Sequence, residues 1–281
     1  MGPLLSLIAA VAYGTSDFAA GVGSRRMPSA TVAVVAQSCS LVAAVAAVTL
    51  FPGGGPTVPA LMWGALSGVG SAIGALCLYR GLAIGRMGVV ATASALLTAV
   101  IPAGFGFLLG ERLPLLAELG VLAAVAAIVL VSWRPPSAIH DGGRTGVLYG
   151  ILAGLGFAAF FIALDRAGTH SGAWPLLPGQ AVAVILEAFF ACAAQLSFGH
   201  NGHNFRALVA AVGAGVLGGV ANISFLAATG RGPLAMVAVI TSLYPGVTIV
   251  LARLLLSERW TRVQAVGLVG AVAAIAMISA R

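Results

Sequence analysis

Long apolar runs, broken at short intervals by glycine, proline and arginine, fill the chain from end to end. Each is long enough to cross a bilayer, for which about 20 residues of helix suffice. The punctuation predicts helices at about 3–22, 30–50, 60–80, 86–108, 114–133, 145–165, 173–197, 207–228, 232–255 and 261–279. Ser24-Arg25-Arg26-Met27-Pro28 ends the first, Phe51-Pro52-Gly53-Gly54-Gly55-Pro56 the second and Gly110-Glu111-Arg112-Leu113-Pro114 the fourth. The longest polar connection, Arg134 to Arg144, falls near mid-chain.

The halves on either side of that connection are alike. Glu111-Arg112 closes the fourth helix and Glu258-Arg259 the ninth, 147 positions apart. At that offset residues 85–134 align with 232–281 without a gap, and about a third of the pairs are identical. Gly85 meets Gly232, Gly120 meets Gly267, and Ala124 to Ile128 meets Ala271 to Ile275. The first helices match more weakly, at an offset of 144, through Leu4 and Leu148, Leu7 and Ile151, and Ala9 and Ala153. A repeat of this kind predicts two five-helix units, residues 1–134 and 145–281. Five is odd, so the second unit must enter the bilayer from the opposite side. The expected fold is therefore an all-α integral membrane protein of ten transmembrane helices, arranged as two inverted repeats. Such a pair places a site near the midplane, at the interface between the repeats.

Composition supports the membrane reading. The 281 residues have a mean hydropathy of +1.08, with 60% hydrophobic and 7% charged. A soluble domain carries about 25% charged residues, so these few cannot cover a water-facing surface. The net charge of +7 comes from arginines standing singly at helix ends, which suits headgroup anchoring and excludes a nucleic-acid groove. With the expected boundaries ten arginines lie on one side and four on the other, which would put both termini outside. Cys39, Cys77 and Cys192 stand apart inside apolar runs and suggest packing, not a metal or a disulfide. His140, His170, His200 and His203 fall in loops, and the His200/His203 pair has no carboxylate or cysteine beside it. No cofactor is called for. The first apolar run has no basic segment before it and reads as a retained helix.

These features resemble a known family. Tyr13-Gly14-Thr15-Ser16-Asp17-Phe18 is similar to the aromatic-Gly-x-x-Phe signature in the first helix of EamA-type drug/metabolite transporters. Gly110-Glu111-Arg112 and Ser257-Glu258-Arg259 resemble the Gly-Glu-Arg that closes the fourth helix of each repeat, and Pro102 and Pro245 resemble its prolines. The resemblance implies a multi-pass permease of the plasma (inner) membrane, with both termini inside and the fifth and tenth helices peripheral. It implies a transporter of an amino acid or drug-like solute, often an exporter, and not an enzyme. Tyr13 stands where the family usually has Trp, and Asp17 is an acidic departure.

Ionisable groups in lipid cost about 2.5–3.5 kcal/mol at a helix centre, so the few present carry information. Asp17 reads either as an amine or proton site, or as an interfacial acid near Arg25 and Arg26. Glu187, mid-way along the seventh helix, must be protonated or paired, which suits proton coupling or a structural hydrogen bond. Asn222 has Ala75 as its repeat counterpart, and Ser71 and Tyr79 share a face with Ala75. Ser94 and Tyr244 add polarity in helices four and nine, and Gln37 and Gln180 occupy similar places in helices two and seven. The expected substrate-binding set is Tyr13, Asp17, Tyr79, Ser94, Glu187, Asn222 and Tyr244. Gly64/Gly68, Gly70/Gly74, Gly150/Gly154 and Gly215/Gly219 are small-xxx-small pairs that let helices approach closely. The expected function is secondary transport or facilitation of a small metabolite by alternating access, with the bilayer, a small solute and protons as partners. A lipid-headgroup flippase of the same fold is the alternative. An intramembrane enzyme would need clustered catalytic groups at membrane depth, and the scattered acids do not supply them.

Overall fold

The computed structural model describes residues 1–50, 54–84, 87–132, 143–168, 170–193, 205–256 and 261–280, with only the backbone at 87–89, 131–132, 143–144, 252 and 256. The helices are α1 (Gly2–Ser24), α2 (Ser29–Leu50), α3 (Val58–Ile84), α4 (Met87–Leu108), α5 (Leu115–Ser132) and α6 (Gly143–Arg166). They continue as α7 (Leu176–Ala193), α8 (Phe205–Thr229), α9 (Leu234–Thr241), α10 (Tyr244–Leu256) and α11 (Arg262–Ser279). Ten apolar segments result, because α9 and α10 together form one, Leu234–Leu255. The local chemistry is ordinary: Pro3 opens α1, where no N–H is needed, and a Thr261–Gln264 capping box opens α11.

The ninth span corrects the sequence reading, which runs one helix through 232–255. Pro245 has no N–H to give to the carbonyl of Thr241, and in a continuous helix its ring would clash with that carbonyl. The first segment therefore stops at Thr241 and a new helix starts at Tyr244. Pro102, by contrast, is absorbed inside an unbroken α4.

Helix pairings repeat with two-fold symmetry. α3 packs along α7 and α8 along α2, each pair running in the same direction. A Cβ on Gly68 would strike the carbonyl oxygen of Gly179, and a Cβ on Gly215 would strike that of Ala36. These four residues are repeat mates, 147 and 143 positions apart. α1 runs against α8 in the opposite sense, with Ser16 at Ala214 and Gly23 near Ala207; α3 meets α6 likewise, through Gly70 at Gly156 and Gly81 at Tyr149. The mates α5 and α11 are antiparallel, with Gly120 against Ile278 and Gly270 against Ala127, as an inverted pair requires. They pack mainly on each other, outside the other helices.

Outward faces carry large apolar side chains such as Val42, Leu66, Phe189 and Val266, all exposed in a chain that is to sit in lipid. Arg25, Arg26, Arg80, Arg206, Arg253 and Arg262 lie towards the end of the bundle where α1 finishes, and Arg112, Arg166 and Arg231 lie at the other. His140, His200, His203, Gly85, Arg134, Arg281 and the Glu258-Arg259 pair fall outside the described residues.

Candidate functional site

The repeat interface encloses a cavity of about 50 Å³. A water needs about 10–15 Å³ on this scale, so the space has room for a few waters. From α1 come Tyr13, Ser16 and Asp17; from α6, their mates 144 positions on, Phe157 and Phe160. From α3 come Ser71, Ala75 and Tyr79; from α8, Gly218 and Asn222, the mates of Ser71 and Ala75. Gln37 and Ser40 of α2 complete the polar part of the wall. The backbone framework is symmetric but the chemistry is not. The first repeat supplies most of the polar groups, and the second supplies phenyl rings.

Most donors in this wall are already engaged. The Tyr13 hydroxyl donates to Asn222 Oδ1 at 2.5 Å. Ser16 and Ser40 donate to the carbonyls of Ala214 and Gly215 at 2.7 and 2.8 Å, tying α1 and α2 to α8. The Gln37 amide donates to Gln180 Oε1 at 2.5 Å and to Ser71 Oγ at 3.3 Å. Asp17 is 7% exposed and lines the cavity. No described residue forms a hydrogen bond or an ion pair with its carboxylate, and every arginine whose side chain is described is exposed. Tyr13, Tyr79 and Tyr244 all lie within its electrostatic reach.

The expected site residues thus divide. Tyr13, Asp17, Tyr79 and Asn222 meet at the cavity. Ser94 and Tyr244 sit behind it, joined by a hydrogen bond of 3.1 Å from the tyrosine hydroxyl. The break in the ninth span is what brings α10 close: Gly14 lies against the carbonyl of Tyr244, and Thr248 Oγ1 donates to Gly14 O at 3.0 Å. Glu187 is not in the cavity wall; it is fully buried in α7, and both carboxylate oxygens lack a hydrogen-bond partner among the described residues. Tyr79 senses both Asp17 and Glu187. Ser16, Ser40, Phe157 and Phe160 are among the wall residues that the sequence reading did not pick out as site residues. Phe157 and Phe160 were open to discovery, since they are the repeat mates of Tyr13 and Ser16.

At one rim Glu111, after α4, accepts from the backbone N–H groups of Leu234 and Ala235 at 2.8 and 3.0 Å. The carboxylate caps the first turn of α9, where both the free amides and the helix dipole favour negative charge.

Residues 144–280, the second half of this architecture, match the model of the EamA-like transporter family. The chain belongs to that family. EamA-like proteins are membrane transporters, and the ten apolar segments make this one a multi-pass membrane protein. A solved structure titled only "Crystal structure of protein" matches 99% of this EamA-family chain and 96% of its own, with a TM-score of 0.71 at 18% identity. That likeness is one of fold. No curated protein matches the chain.

Proposed function

We propose that this EamA-family protein is a secondary transporter that exports a small polar or amphipathic metabolite across the plasma (inner) membrane by alternating access. The repeats are residues 1–134 and 145–281, and their inverted relation gives two conformations of equal kind, one open to each side. The observation that carries the reading is the polar cavity between the repeats, with an unpaired buried carboxylate in its wall. A buried polar hollow costs free energy unless its groups are satisfied. A solute that satisfies them is the simplest reason for it to exist. Asp17, Tyr13, Tyr79 and Asn222 hold the solute. Ser94 and Tyr244 set the position of α10 beside it, and Glu187 carries a proton that couples movement to the pH gradient.

The test is flux. Purified protein in proteoliposomes should exchange solutes from a metabolite panel, and uptake should respond to an imposed pH gradient. Gradient-driven uptake left intact by Asp17→Asn and by Glu187→Gln would remove both residues from the coupling step.

A further inference from the structure

We propose that the solute is a small organic cation with an apolar substituent and no carboxylate; this rests on the transporter reading above. The reason is charge. Among the described residues that line the cavity, Asp17 is the one with an acidic or basic side chain. The hydroxyls of Tyr13, Ser16 and Ser40 and the Gln37 amide already donate to protein acceptors. The Asp17 carboxylate has no such partner among the described residues, and it is the group of the wall that can carry a negative charge. A solute carboxylate would face that charge at close range, with no described arginine at the cavity to offset it. Repulsion between two such charges in a low-dielectric site costs several kcal/mol. Anions and zwitterionic amino acids are disfavoured on this ground, and an ammonium group is favoured.

The other wall says what the cation carries. Phe157 and Phe160 stand at the repeat mates of Tyr13 and Ser16, so the site opposes polar side chains with phenyl rings. Rings of this kind cover an alkyl or aryl substituent, and they attract a cation whose hydration has been removed. Phe157 is held in place by close packing, since a Cβ on Gly74 would lie 2.5 Å from its ring.

The experiment is counterflow exchange by the purified full-length protein in proteoliposomes, with permanently charged probes so that protonation does not blur the result. The probes are tetramethylammonium and benzyltrimethylammonium as cations, phenylalanine as zwitterion, phenylacetate as anion and glucose as neutral solute. The two cations should exchange and the other three should not, and benzyltrimethylammonium should bind more tightly than tetramethylammonium. Asp17→Asn should weaken cation binding in detergent by about tenfold or more, as loss of a desolvated charge partner does. Phe157→Leu should narrow the gap between the two cations. Exchange of phenylalanine, phenylacetate or glucose without the cations overturns the proposal and leaves the transporter reading standing. So does cation binding unaltered in a folded Asp17→Asn protein. If no probe moves and the wider metabolite panel is also inert, the transporter reading itself fails, and the cation proposal with it.

Discussion

Gln37 and Gln180 occupy equivalent positions of the two repeats and hydrogen-bond to each other, at 2.5 Å, across the axis that relates them. Both side chains are buried. Cutting one partner takes a hydrogen bond from the buried amide of the other, which costs about 1–3 kcal/mol, whereas removing both can be nearly neutral. Gln37→Leu and Gln180→Leu should each lower thermal stability in detergent, and the double variant should recover much of the loss. Strict additivity in that cycle would show that the pair is not coupled.

The close approach of Gly68 to Gly179, and of Gly215 to Ala36, makes a paired prediction. Gly68→Leu and Gly215→Leu should reduce folded yield to a similar degree, because each drives a side chain into a backbone carbonyl of the helix it packs against. Gly104→Ala is the control: a Cβ there meets nothing within 4 Å. It should be neutral or stabilise α4 by up to about 1 kcal/mol. Monodisperse yield on size-exclusion chromatography reads all three, and unequal loss at the two glycines would weaken the symmetric packing.

Glu111 is expected to act as a cap. Glu111→Ala removes both acceptors from the start of α9 and should lower stability by about 1–2 kcal/mol. Glu111→Gln keeps one oxygen and should cost less. Thermal unfolding of the three proteins gives the order, and equal melting of all three would show that the contact contributes nothing.

Glu187 should separate stability from function. An acid enclosed without a partner is a burden on the fold. Glu187→Gln should therefore leave melting unchanged or raise it, while uptake driven by a pH gradient falls. A variant that melts lower would point to a structural partner for this carboxylate.

The membrane class, the spans, the repeat and its inversion could all be read from the sequence, because apolar length and an odd helix number are one-dimensional properties. Tyr13, Asp17 and Asn222 were visible for a related reason: polar groups inside apolar runs are expensive and therefore conspicuous. The break at Thr241–Tyr244 was not visible. Whether a proline interrupts a span depends on the helices packed around it, and here Gly14 of α1 lies against the Tyr244 carbonyl while its own carbonyl accepts from Thr248 Oγ1. Nor did spacing along α7 reveal that Glu187 lies outside the cavity wall. Which face of a helix meets a hollow is set by its neighbours, and those are chosen by glycines on α3, α7 and α8 approaching carbonyls more than a hundred residues away. The chain by itself determined that it spans a membrane twice over in opposite senses. Only tertiary packing decided which side chains share the space between, because that depends on contacts remote in sequence.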